Sequence, residues 1–351
     1  MIKKSSIEQI KEIADIIEVV QACNVDLVKS GSNYHALCPF HSEKSPSFIV
    51  NQTDQYMNCF GCGVKGDIFT FLKELIGLQF PDAVEWLAKM YNVALEYDES
   101  SEDSEMRHAN KKAWTYMDKV KRHYHSLLMS NDLVRAYLNA RGITDETIQL
   151  WQIGYAPANW RTMTEIAVKD HEWALAVNCG VCVEKEGNKR DFFYNRIITP
   201  IHDHKGNCIS FAGRIWTEEQ NGDPKYLNGC ETHIYKKEDI LFGMHLAKMA
   251  ISKSKEAILV EGYFDAIRAH QEEITNTVAA CGTSVTLKQV QSLVKNADTI
   301  ILAGDNDPAG QASIIKCIDL CYGHGASKVD VIEWPNGIKD IEEFIIKNKK
   351  S

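Results

Sequence analysis

The sequence predicts a multidomain protein: a small β-rich domain with helices, then an α+β domain joined to an α/β domain with a mostly parallel sheet. Three observations predict this order. Two equally spaced pairs of Cys or His residues lie in the first hundred residues, and an acidic, serine-rich segment follows them. Beyond residue 256, short apolar runs alternate with helical patterns, which is typical of a parallel sheet covered by helices.

The composition is that of a globular protein. Hydrophobic residues make up 44% of the 351 residues and charged residues 25%, which excludes wholesale disorder. Since no run of 18 apolar residues and no signal sequence is present, we expect neither a membrane span nor secretion. The 11 Cys residues therefore predict metal ligands or free thiols instead of disulfides.

The predicted domains are residues 1–97, 106–250 and 251–351, with a linker at 98–105. The linker sequence DESSEDSE cannot bury apolar area to offset the entropy of ordering it. The net charge of −9 argues against a nucleic-acid partner. However, residues 106–250 hold 20 Lys and Arg against 17 Asp and Glu, so a polyanion can bind if the basic groups share one face.

Hydrophobic periodicity predicts the secondary structure in chain order. The helical ranges are 7–28, 67–90 (broken near Gly77 and Pro81) and 106–151, and the strand ranges are 34–60 and 192–215, with a turn at Asp203–Asn207. The final domain alternates strands Ala257–Val260, Thr277–Ala280, Thr299–Ala303 and Lys328–Ile332 with helices Tyr263–Gln271, Thr286–Val294 and Pro308–Leu320. This alternation implies parallel strands with helices on the faces of the sheet.

The two Cys/His pairs predict one structural zinc site. Cys38-Pro-Phe-His41 is followed, after 17 residues, by Cys59-Phe-Gly-Cys62. Three thiolates and one imidazole close a tetrahedral zinc site and leave no open position for catalysis. The aromatic residues around it can stack on single-stranded nucleic acid or fill a small core, and the sequence does not choose between these roles. They are Tyr34, Phe40, Phe48, Tyr56 and Phe60, with Lys44 and Lys65 among them.

A third pair with the same spacing, Cys179 and Cys182, has no matching partner pair downstream. It lies in the apolar stretch VNCGVCVE, which we interpret as a buried strand. We therefore expect these two thiols to bind no metal. Cys317 and Cys321, four residues apart on a predicted helix, are expected to be core residues.

Acidic residues follow two of the apolar strands in the last domain. Glu261 follows Val260 and precedes a helix that carries Asp265, while Asp305 and Asp307 follow Ala303. Ligands of open parallel sheets bind beyond the carboxyl ends of the strands. Carboxylates that meet there repel each other unless a cation bridges them, and oxygen ligands favour Mg²⁺. Asp340, after the fourth strand, can join them, whereas Asp307 before Pro308 also fits a helix N-cap.

These residues carry a family resemblance. Glu261-Gly262-Tyr263-Phe264-Asp265 and Asp305-Asn306-Asp307 resemble the two acidic signatures of the Toprim fold, which occurs in primases, topoisomerases, some nucleases and recombination proteins. Joined to the Cys/His pairs, they resemble the bacterial and phage DnaG-type DNA primases. Other matching motifs are Arg141-Gly142-Ile143, Ile153–Pro157, Asn195–Ile197, Pro200–Asp203, Phe211–Arg214 and Pro224–Asn228. The resemblance covers about residues 7–345.

The resemblance implies synthesis of short RNA primers from NTPs on single-stranded DNA during DNA replication, in the cytoplasm of a bacterial or phage-infected cell. It implies a zinc-ribbon template-binding domain, a basic N-terminal part of the RNA polymerase core, and a Toprim catalytic domain. Glu261, Asp305 and Asp307 would hold catalytic Mg²⁺ or Mn²⁺, with Asp265 and Asp340 beside them. A basic surface for template and nucleotide would comprise Arg141, Arg196, Arg214, Lys225 and Lys237.

The sequence departs from the family pattern at two places. Asn306 stands where the family usually has Gly, and the spacing from Pro335 to Asp340 is unusual. The residues after the Toprim region leave no room for the family's helicase-binding bundle, so we expect helicase recruitment by the usual route to be absent. Two alternatives remain: another Toprim enzyme of nuclease type, and a non-catalytic single-stranded DNA-binding module. A primase synthesises primers from NTPs, whereas neither of these two alternatives does.

Overall fold

The computed structural model describes residues 2–41, 43–97, 101–217, 222–280, 282 and 285–348, and for residues 101–104 it describes the backbone alone. Backbone proximity divides the chain into two units. The first comprises residues 1–104 with 248–255, and the second comprises residues 105–247 with 256–351. Within the described ranges, no helix is both long and apolar enough to cross a bilayer.

The described residues between 2 and 97 form four helices and a five-stranded antiparallel sheet. In chain order the elements are α1 (Lys4–Ile13), α2 (Ile16–Ala22), β1 (Val28–Ser30), β2 (Asn33–Ala36), β3 (Phe48–Asn51), β4 (Tyr56–Cys59), β5 (Lys65–Gly66), α3 (Ile68–Ile76) and α4 (Phe80–Met90). The sheet order β1-β2-β3-β4-β5 follows the chain, so each strand pairs with the next one. This agrees with the strands predicted over 34–60.

Turn and capping residues set the helix limits in this unit. The helix predicted over 7–28 is two helices, because Asp15 leaves the helical conformation and accepts a hydrogen bond from the Ile17 N–H at the start of α2. The predicted break between α3 and α4 is present. Gly77 ends α3 in the left-handed conformation (φ 62°), which glycine adopts without strain, and Pro81 lies in the first turn of α4.

Aromatic side chains fill the core of the first unit. Phe48 and Phe71 are fully buried, and the Phe40 ring packs edge-on against both, with centroids 5.6 and 5.8 Å away. Phe60, in contrast, is 73% exposed. The aromatic residues near the Cys/His pairs therefore divide between the two roles that the sequence left open: Phe40 and Phe48 belong to the core, and Phe60 faces solvent.

The chain from residue 101 onward forms ten helices and ten strands in its described residues. They are α5 (Ser101–Met129), α6 (Asp132–Ala140), α7 (Asp145–Trp151), β6 (Gly154–Ala156), α8 (Thr162–Lys169), α9 (Trp173–Asn178), β7 (Cys182–Lys185), β8 (Asn188–Asp191), β9 (Arg196–His202), β10 (Cys208–Ile215), β11 (Tyr226–Asn228), α10 (Met244–Ser254), β12 (Glu256–Val260), α11 (Tyr263–Gln271), β13 (Thr277–Ala279), α12 (Leu287–Asn296), β14 (Thr299–Ala303), α13 (Pro308–Gly323), β15 (Lys328–Val331) and α14 (Ile341–Asn348). A short 3₁₀ turn spans Lys237–Asp239.

Two four-stranded sheets organise the second unit. One is antiparallel, in the order β11-β10-β9-β6, and the other runs β13-β12-β14-β15 with all three pairings parallel. In the parallel sheet, Val260 at the end of β12 is in register with Ala303 at the end of β14. The residues that follow these two strands therefore emerge side by side at one edge.

One hydrophobic core joins the predicted second and third domains. It includes Leu128 and Trp151 from the α5–α7 region together with Phe264, Ile267 and Ile345 from the α/β region. Because of this shared core, the predicted border between residues 250 and 251 does not separate two compact bodies. The domain limits themselves stay a prediction.

The predicted linker is partly helical. Residues 98–100 lie outside the described residues, but α5 begins at Ser101, so residues 101–105 are not the irregular hinge that their composition predicts. Further along, α5 buries Ala113, Met117, Val120 and Tyr124 on one face. A helix nucleated by that packed stretch extends toward its N-terminus at little cost, which explains the difference.

The stretch around Cys179 and Cys182 is not a single strand. Cys179 ends α9, and Cys182 begins β7 after a turn at Gly180 with φ 71°. The apolar run predicted a strand because its periodicity did not reveal that turn. Both thiols are buried, which raises the pKa of each to about 12.

His202 and His245 form a partly buried pair whose ring centroids lie 4.4 Å apart. Neither Nδ1 atom has a hydrogen-bond partner among the described residues. Burial, with the neighbouring ring and Lys121 adding to it, lowers the pKa of His202 to about 2. Burial lowers the pKa of His245 to about 4, although Asp203 opposes the shift, and His270 and Lys121 reinforce it.

This pair should make stability pH-dependent. Below the ordinary histidine pKa of about 6.5, the unfolded chain binds protons that the folded pair does not. Stability is therefore complete above pH 6.5 and falls as the pH decreases, by about 1.4 kcal/mol per pH unit for each histidine. Melting temperatures measured from pH 7 to pH 5 should fall less steeply for His245→Gln than for the parent protein. Exposed His108→Gln is the control, and equal slopes for all three proteins would contradict this account.

Candidate zinc ribbon and acidic strand-end site

The four predicted zinc ligands converge in the structure. One ligand atom from each of Cys38, His41, Cys59 and Cys62 lies within 4.8 Å of all the others. The Sγ atoms of Cys38 and Cys62 are 3.8 Å apart, and His41 Nδ1 is 3.8 Å from Cys59 Sγ. Sulfur atoms that ligate one tetrahedral zinc are separated by about this distance. The donor set and its geometry therefore fit one closed zinc site.

Backbone N–H groups point at the ligand sulfurs. The Phe40 N–H donates to Cys38 Sγ, and the Cys62 N–H donates to Cys59 Sγ, each over 3.4 Å. Against the effect of its burial, the Cys62 N–H and the Ser47 hydroxyl lower the pKa of Cys59 to about 6. N–H donors at these sulfurs suit the thiolate form, which is the form that binds metal.

Glu43, which the sequence reasoning missed, supports this site through both carboxylate oxygens. Oε1 accepts hydrogen bonds from the Cys38 and Ser47 N–H groups, over 2.7 and 3.0 Å. Oε2 accepts one from the Ser47 hydroxyl over 2.6 Å and lies 3.3 Å from His41 Nε2. His41 therefore presents Nδ1 to the zinc side and Nε2 to Glu43, an arrangement that fixes the orientation of a ligand imidazole. The position of Glu43 two residues after His41 was the available signal.

Gly61 leaves the space that the His41 ring occupies. A Cβ atom at residue 61 would lie 2.6 Å from His41 Nε2 and 2.9 Å from Ser47 Oγ. Both distances are far below a normal contact. The glycine in Cys59-Phe-Gly-Cys62 is therefore required by close packing against the histidine ligand, in addition to any effect on the turn itself.

Removing the Glu43 charge should loosen zinc. We expect Glu43→Gln to weaken zinc retention by about 10- to 100-fold, the usual effect of losing a carboxylate that orients a ligand histidine. Transfer of zinc to a chromogenic chelator measures this, and the visible spectrum of the Co²⁺-substituted protein reports the ligand geometry. Glu12→Gln, an exposed change on α1, should match the parent. Unchanged zinc transfer and an unchanged Co²⁺ spectrum in Glu43→Gln would rule out the role given to Glu43.

The predicted acidic residues meet at the carboxyl edge of the parallel sheet. Glu261 directly follows β12, and Asp305 and Asp307 follow β14. The Asp305 N–H donates to Glu261 Oε1 over 2.9 Å, which links the two strand ends. Asp307 also caps α13, because its Oδ1 accepts hydrogen bonds from the Ala309 and Gly310 N–H groups. Asp307 is therefore an N-cap through Oδ1, while its Oδ2 lies 3.9 Å from Lys339 Nζ.

Lys339 lies between the two aspartates, which the sequence did not predict. Its Nζ is 3.1 Å from Asp305 Oδ2 and 3.9 Å from Asp307 Oδ2. The hydrogen bond to Asp305 raises the pKa of Lys339, so the side chain stays an ammonium ion. Among the described residues, the acidic side chains do not gather as closely as the four zinc ligands do.

Burial and mutual repulsion raise the pKa of two other carboxylates at this edge, Glu261 and Asp265. Burial, and then the charges of Asp305 and Asp307, raise the pKa of Glu261. Burial, and then the charge of Asp340, raise the pKa of Asp265 to about 7. Asp265 Oδ2 accepts the Gly262 N–H at the start of α11, while Asp340 Oδ1 accepts the Glu343 N–H in the first turn of α14. A divalent cation would relieve this repulsion, which makes the edge chemically suited to one.

The first turn of α13 passes very close to the acidic residues. A Cβ atom at Gly310 would collide with the Asp305 carbonyl oxygen and lie 2.8 Å from Glu261 Oε1. The helix therefore packs its backbone, not a side chain, against this edge. This contact holds Glu261 and the Asp305 backbone in place.

The predicted basic surface is only partly a surface. Arg196 and Arg214 are buried, 4% and 6% exposed, so their expected surface position is wrong. Arg196 donates to the Gly213 and Pro224 carbonyls, while Arg214 donates to the Tyr137 hydroxyl. Arginine can be buried in this way when its guanidinium group finds hydrogen-bond acceptors and aromatic faces.

The other three basic residues differ in exposure. Arg141 forms an ion pair with Glu342, with Nη2 2.6 Å from Oε1, and its guanidinium lies 5.4 Å from the Phe264 ring centroid. Lys225 is exposed, and half-buried Lys237 lies near Gly282. Glu342, which sequence reasoning also missed, is thus the counter-charge of Arg141.

Family comparisons match three consecutive parts of the chain. Residues 2–103 match a CHC2 zinc finger, 123–248 the N-terminal domain of the DNA primase catalytic core, and 258–345 a Toprim-like domain. The chain is 38% identical to the DNA primase of Halalkalibacterium halodurans over 99% of its own length, and 34% identical to that of Clostridium acetobutylicum over all of it. It spans about 58% of the length of each of these relatives.

Similar solved structures agree with these family matches, because they too are primases. The zinc-binding and RNA polymerase domains of the Aquifex aeolicus primase match 97% of this chain and are themselves 82% covered, at 32% identity and a TM-score of 0.63. A DnaG primase catalytic domain bound to single-stranded DNA matches 70% of the chain, at 27% identity and a TM-score of 0.63.

The fold and the two sites define a protein in which a zinc ribbon accompanies a Toprim-type acidic site. More particularly, the chain belongs to the DnaG-type DNA primase family. It carries one structural zinc, and its Toprim-like domain implies a catalytic divalent metal ion.

Proposed function

We propose that this chain synthesises short RNA primers on single-stranded DNA by nucleotidyl transfer from NTPs, in the cytoplasm where such templates arise. The observation that carries the proposal is the convergence of Glu261, Asp305 and Asp307 at one sheet edge of a chain that also has the primase zinc ribbon and catalytic core. In the reaction, a 3′-hydroxyl oxygen bonds to the α-phosphorus of an NTP and pyrophosphate leaves.

The acidic edge would position the reacting groups. Bound Mg²⁺ or Mn²⁺ would neutralise charge on the triphosphate and orient it for attack. Glu261, Asp305 and Asp307 would hold the ion through their carboxylate oxygens, with Asp307 using Oδ2 because Oδ1 caps α13. Asp265 and Asp340 would add negative charge near the three carboxylates that hold the ion.

Cationic side chains beside the edge would bind phosphates, except that buried Arg214 would act by positioning its neighbours. Arg141 and Arg214 both stack over the Phe264 ring, each with its guanidinium carbon 5.4 Å from the ring centroid. Phe264 precedes Asp265 on α11, so this pair of cations lies beside the acidic signature. Lys225 and Lys237 would extend the positive region along the path of the template or nucleotide, whereas Arg196 would act by holding the Pro224 segment that leads to Lys225.

The zinc ribbon would contact the template through the face of its sheet that is turned away from the core. Cross-strand register places Ile49, Asn58 and Lys65 in one row on that face, and Tyr56 lies in the adjacent row. Phe60, 73% exposed, extends just past the end of β4. Exposed aromatic rings beside a lysine suit unpaired bases and the phosphates between them.

Loss of one central carboxylate should abolish synthesis. Asp305→Asn keeps the side-chain volume but removes a charge from the acidic edge, so we expect primer synthesis with labelled NTPs and Mg²⁺ to fall at least ~100-fold. Asp319→Asn makes the same change at an exposed position on α13 and should keep full activity. An active Asp305→Asn variant would refute the proposed site, and cleavage of the DNA instead of primer synthesis would favour a nuclease.

Loss of the exposed ring should weaken template binding. We expect Phe60→Ala to weaken binding to unstructured single-stranded DNA by about 5- to 150-fold, because one stacked base contributes about 1–3 kcal/mol. Fluorescence anisotropy with a labelled oligonucleotide measures this, alongside a zinc assay to show that the ribbon is intact. Ile315→Ala, which removes a side chain that is 64% exposed on α13, is the matched control. Unchanged binding by Phe60→Ala would exclude this ring from the template contact.

A further inference from the structure

The two departures from the family sequence pattern meet in the structure. Asn306, in place of the usual Gly, donates its backbone N–H to the Lys339 carbonyl over 2.7 Å and its side-chain Nδ2 to the Ile338 carbonyl over 3.1 Å. Both acceptors lie in the segment Pro335–Asp340, whose spacing is the second departure. A glycine at residue 306 could make only the first of these bonds.

This contact attaches one loop to another. We define the clamped loop as Trp334–Asp340, between β15 and α14. Besides the two bonds from Asn306, Trp334 Nε1 donates to the Gly304 carbonyl over 2.7 Å. Ile338 is 7% exposed, and the Lys339 N–H donates to Glu343 Oε2 over 2.7 Å. The backbone around Lys339 is therefore held from both sides.

The clamped loop places a cation where a divalent ion would bind. Lys339 Nζ lies 3.1 Å from Asp305 Oδ2 and 3.9 Å from Asp307 Oδ2, and Glu261 Oε1 accepts the Asp305 N–H. The Lys339 side chain is 56% exposed, so its ammonium group can move into solvent when the carboxylates take another cation. Opposite charge at this distance stabilises the ionised carboxylates while no metal is bound.

We propose that Lys339 is the internal counter-ion of Asp305 and Asp307, and that a divalent ion binds by displacing the Lys339 ammonium group. Asn306 is the positioning residue that holds Lys339 at this place. This inference rests on the proposed metal-binding role of these carboxylates. Because Lys339 competes with the divalent ion for the carboxylates, it lowers their apparent affinity for that ion. By linkage, the bound ion equally weakens the contact between Lys339 and the carboxylates. Asn306 strengthens this competition because it fixes the loop from which Lys339 extends.

The test is Mn²⁺ binding to the zinc-loaded full chain without nucleotide, measured by electron paramagnetic resonance of the free ion. Lys339→Met should tighten Mn²⁺ binding by about fivefold, the scale of one partly exposed ion pair. Asn306→Ala should tighten it by about twofold, because one of two tethering hydrogen bonds is lost. Since Asn306 has no positive φ, alanine introduces no backbone strain there.

A double variant decides whether Asn306 acts through Lys339. If it does, Lys339→Met with Asn306→Ala should bind Mn²⁺ as Lys339→Met alone does. Additive effects would overturn the positioning role of Asn306, and unchanged affinity in Lys339→Met would overturn the counter-ion role. Asn296→Ala is the matched control, because it removes a side-chain hydrogen bond to the Ser292 carbonyl within α12 and should leave the affinity unchanged.

Asp305→Ala separates this inference from the proposed function. If that variant still binds Mn²⁺ as tightly as the parent, the carboxylates are not the metal site, and both the proposed function and the inference fail. If Asp305→Ala loses Mn²⁺ while Lys339→Met binds like the parent, the metal site stands and only the counter-ion inference is wrong.

Discussion

The concentration of negative charge at one edge of the parallel sheet is the constraint on which the second unit depends. Register between β12 and β14 brings Glu261 beside Asp305, and burial makes their repulsion more costly. Three features offset it: the Asp305 N–H bound to Glu261, the N–H groups of α13 bound to Asp307, and the Lys339 ammonium. The fold therefore maintains this edge at an energetic cost, which is typical of a site kept for function.

The sequence predicted the parallel sheet well because its signals are local. An uninterrupted apolar run followed by a polar turn defines β12 and β14, and the predicted ranges of α11 and β14 match the structure. Prediction was wrong where a tertiary contact decided the outcome. Between α1 and α2, the Asp15 N–H donates to the Tyr91 hydroxyl and the Ile16 N–H to Gln55 Oε1. The packed face of α5 extends a helix into residues that look like a linker.

For the sites, spacing identified the zinc ligands and the acids that follow the strands, but it missed Glu43, two residues from His41, and the groups supplied from distant segments. The four zinc ligands were predictable because two short turns carry them, and the structure brings them together. Lys339 and Glu342 reach the acidic edge from a distant loop and helix, so only the fold reveals them. The burial of Arg196 and Arg214 was equally hidden, since a basic residue in sequence shows its charge but not its acceptors.

The close approach of α13 to the acidic edge limits how this centre can change by mutation. Any side chain at residue 310 would have to occupy space already filled by the Asp305 carbonyl and a Glu261 oxygen. The positions of α13 and of these carboxylates can therefore change only together, because a shift of one displaces the other. A substitution there would displace the acidic residues even if the rest of the chain folded. Position 310 thus helps to define the acidic edge, although glycine contributes no side chain to it.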